Sequence, residues 1–213
     1  PANKGLMACQ SAPPRHCCGM LAALVLDFDG LILDTETPLI DGWSAVHAEH
    51  GSVFDRAAGH SIIGHSGKFF DPWAGLPPDL DRVKLEERFM AVKSRIIAEQ
   101  PILPGVVALL DHAAAVGLKL GVASNSDHSH VDGHLARLGL ADRFTAVVCR
   151  DDVINPKPHP DVYLEACAKL EVTPSEAIAF EDSGPGHQSA HRAGLTVLVI
   201  PNPSTRQSDF PHA

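Results

Sequence analysis

The stretch Leu24-Val25-Leu26-Asp27-Phe28-Asp29-Gly30 decides how this chain is read. It closes a short apolar run with two carboxylates and a glycine. Residues two apart in an extended strand share one side, so Asp27 and Asp29 enter one site if the strand runs out near Asp29. Carboxylates that close repel each other. They tolerate the proximity when a cation sits between them, or when one carries a proton and serves as an acid. A carboxylate can also attack phosphorus while a neighbouring carboxylic acid protonates the leaving oxygen. Asp-x-Asp-Gly taken alone is more often a polar turn after a buried strand, so the residues around it must decide.

Outward from this run, apolar β-type segments alternate with helical patterns, which implies a parallel sheet with crossover helices. Strands are expected over 21–27, 118–123, 145–149, 177–180 and 196–200. Pro104-Gly105 opens a helix that stops at Gly117, and Asp127 caps one carrying Val131, Leu135 and Leu138 that stops at Gly139. Helices over 161–170 and 186–193 complete the set. About ninety residues separate the first strand from the second, far more than one crossover requires. The insert holds a helix from Thr37-Pro38 with Ile40, Trp43, Val46 and His47 on one side, ended by Gly51. A second runs from Leu80 to Glu99 with Leu85, Phe89, Val92 and Ile96 at helical spacing, and the Gly- and Pro-rich 59–78 between them reads as loop. The expected fold is α/β: a Rossmann-like, doubly wound parallel sheet over 21–35 and 103–213, with a small inserted α-helical cap over 36–102. Pro101 and Pro104 would mark the hinge.

Composition narrows the function. A 45% apolar fraction is ordinary for a packed globular protein. With 26 acidic against 17 basic residues the net charge is −9 and no basic run exists, which argues against nucleic-acid binding and for small-molecule partners. No apolar run approaches the ~20 residues of a membrane span. Residues 1–20 lack a continuous apolar segment and read as a disordered extension, with Met20 a natural start. Cys9, Cys17, Cys18 and His16 could form a metal-binding tail, although the spacing lacks a second ligand pair. Five cysteines without Cys-x-x-Cys suit a reducing cytoplasm. Thirteen histidines, among them His47, His50, His60, His65, His112, His128, His130 and His134, are scattered without zinc-helix spacing, so surface positions are expected for them.

Ligands of an open parallel sheet bind at the carboxyl ends of its strands. The second strand ends in Ser124-Asn125-Ser126, at a helix start whose amides can cradle an anion. After the third come Arg150-Asp151-Asp152 and then Lys157 between Pro156 and Pro158, and the fourth ends in Glu181-Asp182-Ser183-Gly184. Together these suit phosphoryl transfer, which requires an in-line nucleophile, charge neutralisation on the phosphoryl oxygens and a proton for the leaving group. Asp27 would be the nucleophile, Asp29 the acid and then the base, and Ser124 a donor to a phosphoryl oxygen. Lys157 would screen Asp27 from phosphate. Asp27, Asp182 and Glu181 form an oxygen set suited to Mg²⁺. Singly, each has an ordinary reading: Ser124 as a cap, Lys157 as a solvated lysine, Glu181-Asp182 as a turn. Their occurrence at consecutive strand ends favours the site.

The order Asp27-x-Asp29-Gly30, Ser124, Lys157-Pro158-His159-Pro160-Asp161-Val162-Tyr163 and Glu181-Asp182-Ser183-x-x-Gly186 resembles the four motifs of the haloacid dehalogenase superfamily. Asp34-Thr35-Glu36 and Asn125 match too, and the likeness spans 21–203. The group most resembled is the β-phosphoglucomutase-like phosphatases and mutases with a helical cap after the first strand. The resemblance implies an aspartyl-phosphate intermediate and Mg²⁺ held by Asp27, the main-chain carbonyl of Asp29, and Asp182, with Glu181 contributing. It implies phosphate rather than halide chemistry, since the dehalogenases lack the aspartate at position 29. Phosphonatases need a cap lysine, and Lys68, the sole lysine of the cap's loop region, has no clear apolar pocket. Mutases of the group carry Lys-Gly-x-x-Arg in the cap. Here Ile63-Gly64-His65-Ser66-Gly67-Lys68 lacks both that lysine and that arginine, which favours water over a sugar as acceptor, although His65 and Lys68 could partly substitute.

The expected activity is therefore a Mg²⁺-dependent phosphatase of a small phosphorylated metabolite such as a sugar phosphate, the alternative being a β-phosphoglucomutase-type mutase. Gly30, Glu36, His65, Ser124, Asn125 and Lys157 are the expected phosphate and substrate contacts, and Trp43, His47 and Lys68 could also line the cap's pocket. Trp43 and His47 lie one helical turn apart and could instead bury the cap's own core, the more ordinary role for Trp43. Glu36 could accept a sugar hydroxyl or cap the helix at Thr37. Aspartate-phosphorylated receiver domains, a non-enzymatic class, share the sheet and acidic strand ends but lack an inserted cap. A scaffold that has lost its chemistry would lack Asp27, Asp29, Lys157 or Asp182, all present. A cytoplasmic monomer, at most a weak dimer, is expected.

Overall fold

A computed structural model describes residues 20–60, 70–205 and 210–211. β1 (Ala23–Leu26) is followed by three helices, α1 (Glu36–Glu49), α2 (Arg56–His60) and α3 (Arg82–Glu99). Then come α4 (Val106–Ala115), β2 (Lys119–Ala123), α5 (His128–Arg137), β3 (Ala146–Val148), α6 (Asp161–Lys169), β4 (Ala177–Glu181), α7 (Gly184–Ala193) and β5 (Thr196–Val199). All five expected strands form; four are one to three residues shorter than expected, and β4 runs one residue further, to Glu181. They make one parallel sheet of order β3-β2-β1-β4-β5, with β1 central and paired to β2 and β4. Among the described residues no helix is long and apolar enough to cross a membrane.

Alternation along β1 assigns its two faces. Leu24 and Leu26 pack with Leu110 of α4 and Val131 and Leu135 of α5, whereas Ala23 and Val25 pack with Val162 and Tyr163 of α6 and Ala190 of α7. Burial on both faces is why the strands read as continuous apolar runs. Asp127 caps α5 by accepting from the His130 N–H at 3.0 Å, and Ser183 caps α7 by accepting from Gly186 at 3.2 Å.

A third apolar cluster lies wholly between β1 and α4. Ile40, Trp43 and Val46 of α1 meet Phe54, Trp73, and Leu85 and Phe89 of α3. The outgoing and returning chain segments pair: Leu33 bridges Ile102, and the Leu103 N–H donates to the Ile32 carbonyl at 3.0 Å. The loop expected over 59–78 is corrected at its start, where α2 extends through Gly59 to His60. Residues 1–19, with the cysteine-rich tail, and 61–69, with His65 and Lys68, lie outside the described residues.

Candidate active site

Polar side chains that follow the strands of the core sheet meet in one place, with Asn202 after β5 among them, and a buried lysine organises them. The Lys157 ammonium donates to Asp27 Oδ1 at 2.9 Å and to Glu181 Oε1 at 2.6 Å. Asp27, Lys157, Glu181 and Asp182 are each no more than 7% exposed. Asn125 fixes the lysine's backbone from both sides, accepting from its N–H at 2.8 Å and donating to its carbonyl at 3.2 Å. The peptide bond from Lys157 to Pro158 is cis. Tyr163 completes the lysine's surroundings: its ring lies 5.2 Å below the ammonium and its hydroxyl donates to Glu181 Oε1 at 2.5 Å.

Three carboxylates facing one ammonium leave an excess of negative charge. Burial, then the Glu181 carboxylate, pushes the Asp27 carboxyl up to about 7. Burial, then Asp27 and Glu181, pushes Asp182 up to about 9. Burial alone would depress the Lys157 ammonium, but Asp27 and Glu181 outweigh it and hold its pKa above the usual lysine value. Carboxylate oxygens of Asp27, Glu181 and Asp182 lie within 4.8 Å of one another. Glu181 has its oxygens committed, Oε1 to Lys157 and Tyr163 and Oε2 to the Ser183 hydroxyl at 3.3 Å. Asp182 differs. Its Oδ2 accepts from Asn202 at 2.7 Å, but its Oδ1 is buried with no hydrogen-bond partner. A buried, unpartnered carboxylate oxygen beside a second carboxylate fits a hard divalent cation such as Mg²⁺.

Two glycines make this packing possible. Gly30 turns at φ +78°, and a side chain there would run into the Asp182 carboxylate and the Asn202 amide. A side chain at Gly186 would overlap the Glu181 carboxylate. Both act by letting backbone approach a buried carboxylate closely.

Asp29 occupies a different environment two residues beyond Asp27. Its Oδ1 accepts from the Thr35 hydroxyl at 2.8 Å and from His130 Nε2 at 3.0 Å. Its Oδ2 accepts from Ser126 Oγ at 2.6 Å and from Ser124 Oγ at 3.3 Å. Burial works to raise its pKa, but the bonds from His130, Ser126 and Thr35 prevail and hold the carboxyl below the usual aspartate value. Adjacent carboxylates with pKa values driven apart are the pattern by which one site holds both an acid–base group and a distinct partner.

Asp27, Asp29, Gly30, Ser124, Asn125, Lys157, Glu181 and Asp182 thus converge. Glu36 opens α1 beside them, and burial, opposed by the Asn202 amide, pushes its carboxyl up to about 7. It does not cap its helix: Asp34 Oδ1 accepts from the Thr37 N–H at 2.9 Å. Trp43 and His47 line no part of this arrangement. Trp43 stacks on Phe89 at 5.4 Å, and His47 Nε2 pairs with the Pro72 carbonyl at 2.8 Å.

Surface placement of the histidines is corrected at three positions. His47 and His187 are buried, and His130 contacts Asp29. The sequence reading also passed over Thr35 as a partner of Asp29, and Ser126, Tyr163 and Asn202 as partners of the other carboxylates or of Asp29. His130 carried a usable sign, since it lies in the first turn of the helix that follows the strand-end serines and one turn before His134. Asn202 carried none, lying 172 positions from Gly30, whose carbonyl it approaches at 3.4 Å.

An α/β sheet with a buried lysine and paired aspartates at its strand ends, and a helical insert after the first strand, defines a class of hydrolytic enzyme. Residues 24–200 match the model of the haloacid dehalogenase-like hydrolases, and the chain belongs to that family. It is 39% identical to YhcW of Bacillus subtilis over 190 residues, 87% of this chain and 86% of that protein. It is 32% identical to fructose-1-phosphate phosphatase YqaB of Escherichia coli, over 84% of this chain and 96% of that one. The crystal structure of CbbY from Rhodobacter sphaeroides in complex with phosphate superimposes with a TM-score of 0.72 at 26% identity, covering 91% of this chain and 92% of that one.

Proposed function

We propose that the chain is a Mg²⁺-dependent phosphatase that hydrolyses a small phosphorylated carbohydrate through a phosphoryl group carried on Asp27. The observation that carries this reading is the buried Lys157 ammonium set among three carboxylates, one of which keeps an unpartnered buried oxygen. Such an arrangement destabilises the fold unless anion and cation ligands complete it, and a stable fold that retains it does so for chemistry. Relatives support the substrate class: YqaB is named for fructose 1-phosphate, and CbbY of Rhodobacter sphaeroides holds phosphate.

In this reading Asp29 takes up the proton of the phosphate monoanion as the substrate binds, an Asp27 carboxylate oxygen attacks phosphorus, the bond to the sugar oxygen breaks, and that oxygen takes the proton from Asp29. Water then attacks the phosphoryl group on Asp27 and gives a proton back to Asp29, releasing inorganic phosphate. Lys157 works against burial to favour the Asp27 anion and offsets the incoming phosphate charge, while Ser124 donates to a phosphoryl oxygen and Asn125 holds the lysine loop. Asp27, Asp182 and the Asp29 main-chain carbonyl would hold Mg²⁺, which when bound supplies charge neutralisation for carboxylates and phosphoryl oxygens. The helices between 36 and 102 would act as the cap that excludes bulk water, with Glu36 facing the sugar and His65 a further candidate contact by sequence. A reducing cytoplasm suits the two buried free cysteines, Cys149 and Cys167.

Phosphate release from p-nitrophenyl phosphate and from a panel of sugar phosphates, with and without Mg²⁺, tests the reading. Asp27→Asn is expected to lower kcat by roughly 10³-fold or more. Equal rates for Asp27→Asn and wild type would overturn it. Conversion of β-glucose 1-phosphate to glucose 6-phosphate, with a bisphosphate present, faster than phosphate release would replace the phosphatase by a mutase.

A further inference from the structure

An ionised carboxylate offers about four lone-pair positions to donors, and Asp29 has a donor at each of four: Thr35 and His130 on Oδ1, Ser126 and Ser124 on Oδ2. A carboxylate so fully engaged has no position left for a water or a leaving group. One donor must step aside before Asp29 can move a proton. The four are unequal. Ser126 at 2.6 Å, Thr35 at 2.8 Å and His130 at 3.0 Å are at full hydrogen-bond length, whereas Ser124 at 3.3 Å is long for a hydroxyl on a carboxylate. Ser124 is also the hydroxyl assigned above to a phosphoryl oxygen.

We propose that His130 is the positioning residue of the acid–base carboxylate, pinning Asp29 Oδ1 so that arrival of a phosphoryl group frees one aimed lone pair on Oδ2. The inference rests on the phosphatase reading above. When the phosphoryl group draws the Ser124 hydroxyl away, the Oδ2 position it vacates opens toward the phosphorus that attracted it. Thr35 and His130 on one oxygen and Ser126 on the other keep the plane of the carboxylate from turning. In the hydrolytic step the water oxygen bonds to phosphorus, the bond from Asp27 oxygen to phosphorus breaks, and the water's proton passes to that vacated position.

His130 is the member of this set built for the task. Its Nε2 carries the proton, because an ionised carboxylate only accepts. The ring is wedged rather than free: its face or edge meets Phe28, between the two aspartates, at 5.8 Å in a perpendicular arrangement, and His134 at 4.8 Å. Both histidines project from one side of α5, whose first turn is anchored by Asp127. An imidazole held by two rings gives the carboxylate a fixed donor, which a flexible hydroxyl does not.

His130→Phe keeps a ring against Phe28 and His134 but removes the donor, and His130→Gln returns an N–H near the Nε2 position. Hydrolysis of p-nitrophenyl phosphate with Mg²⁺ and acid-quenched trapping of the phosphorylated protein read the result. His130→Phe is expected to lower kcat by about 10- to 100-fold, the scale of a misplaced catalytic group, with KM within about twofold of wild type and phosphorylated protein accumulating. His130→Gln is expected to regain most of the lost kcat. Circular dichroism and the melting temperature confirm that both variants fold. An unchanged kcat in His130→Phe, a change in KM alone, or an equal loss in both folded variants would overturn the assignment. Asp27→Asn, run alongside, separates the two claims: its full activity removes the phosphatase reading, whereas an inactive Asp27→Asn with an indifferent His130 series removes only this one.

Discussion

The strand-end site and the interior of the helical insert bury their side chains in opposite ways. At the strand ends, Asp27, Lys157, Glu181 and Asp182 are all nearly solvent-free and all ionisable. Inside the insert, Trp43, Phe54, Trp73 and Phe89 are buried to the same degree, and rings stack on rings: Trp43 on Phe89 at 5.4 Å, Phe54 beside Trp43 at 5.6 Å. Among the described residues one polar member, His47, enters that interior, and its Nε2 is satisfied by the Pro72 carbonyl. Among the described residues this aromatic interior is satisfied without a ligand, as a small core must be to hold its helices. The site is incomplete, with raised carboxyl pKa values and an orphaned oxygen. Incompleteness marks where ligands act, and completeness marks where the fold is only being held.

The harshest test of that contrast removes the lysine. Lys157→Met leaves Asp27 and Glu181 buried without their cation, and breaking such a pair costs about 3–5 kcal/mol. Urea denaturation at neutral pH should show that loss, and phosphate release should become undetectable. Unchanged stability would mean that the carboxylates are neutral in the folded protein and that the site is not organised by charge.

Trp43→Ala probes the other region. Truncating a buried tryptophan costs about 3–5 kcal/mol where the surroundings cannot collapse. Here the loss should stay within α1 and α3. Hydrogen exchange should quicken across those helices and leave β1, β2 and β4 protected. Activity should fall by less than in Lys157→Met, since none of the carboxylates moves. Loss of protection throughout the sheet would show that the two regions fold as one unit.

How much of each region the sequence disclosed follows from the range of the forces involved. The strands were legible because β1, β2 and β4 lie between two helical layers, and burial on both faces writes a continuous apolar run into the chain. The insert was legible from the long gap before Leu118, and its helix pair from the spacing of Leu85, Phe89 and Val92. At the site, Asp27, Ser124, Lys157 and Glu181-Asp182 could be grouped because a parallel sheet brings strand ends together whatever the side chains do. Asn202 could not, and His130 was marked only by its place in the first turn of α5, one turn before His134. Placing His130 requires the angle at which α5 leaves Ser126, and placing Asn202 requires the path of the chain after β5, neither of which periodicity encodes. The short helix α2 was missed because Gly59 lowers helix propensity, and packing of Gly59 against Ile40 and Phe54 outweighs that local preference.

A smaller effect is expected from crowding the site without changing its charge. In Gly186→Ala the added methyl would overlap the Glu181 carboxylate, which is itself fixed by Lys157 and Tyr163 and has little room to yield. Overpacking of this kind costs about 1–3 kcal/mol. Both the melting temperature and kcat should drop, and Gly133→Ala, on a helical backbone with nothing within reach of the added atom, should leave kcat unchanged. A kcat for Gly186→Ala equal to wild type would show that Glu181 can shift freely and does not hold Lys157 in place.

The mildest test needs no substitution. Burial and neighbouring carboxylates raise Asp27 to about 7 and Asp182 to about 9, well above an ordinary aspartate, so the folded protein binds more protons than the unfolded chain across that interval. Groups raised in this way contribute stability below about pH 4 that is lost as pH climbs through their folded values. The melting temperature of the metal-free protein should accordingly carry a falling component between about pH 5 and about pH 8. A divalent cation competes with those same protons. The rise in melting temperature on adding Mg²⁺ should be slight near pH 5 and grow toward pH 8, by mass action on the deprotonated carboxylates. Asp182→Asn should flatten both trends, whereas Trp43→Ala should lower the whole curve and leave the Mg²⁺ increment as it was. If the increment were instead the same at both pH values, or tracked Trp43 rather than Asp182, the excess negative charge would not be what separates the site from the insert.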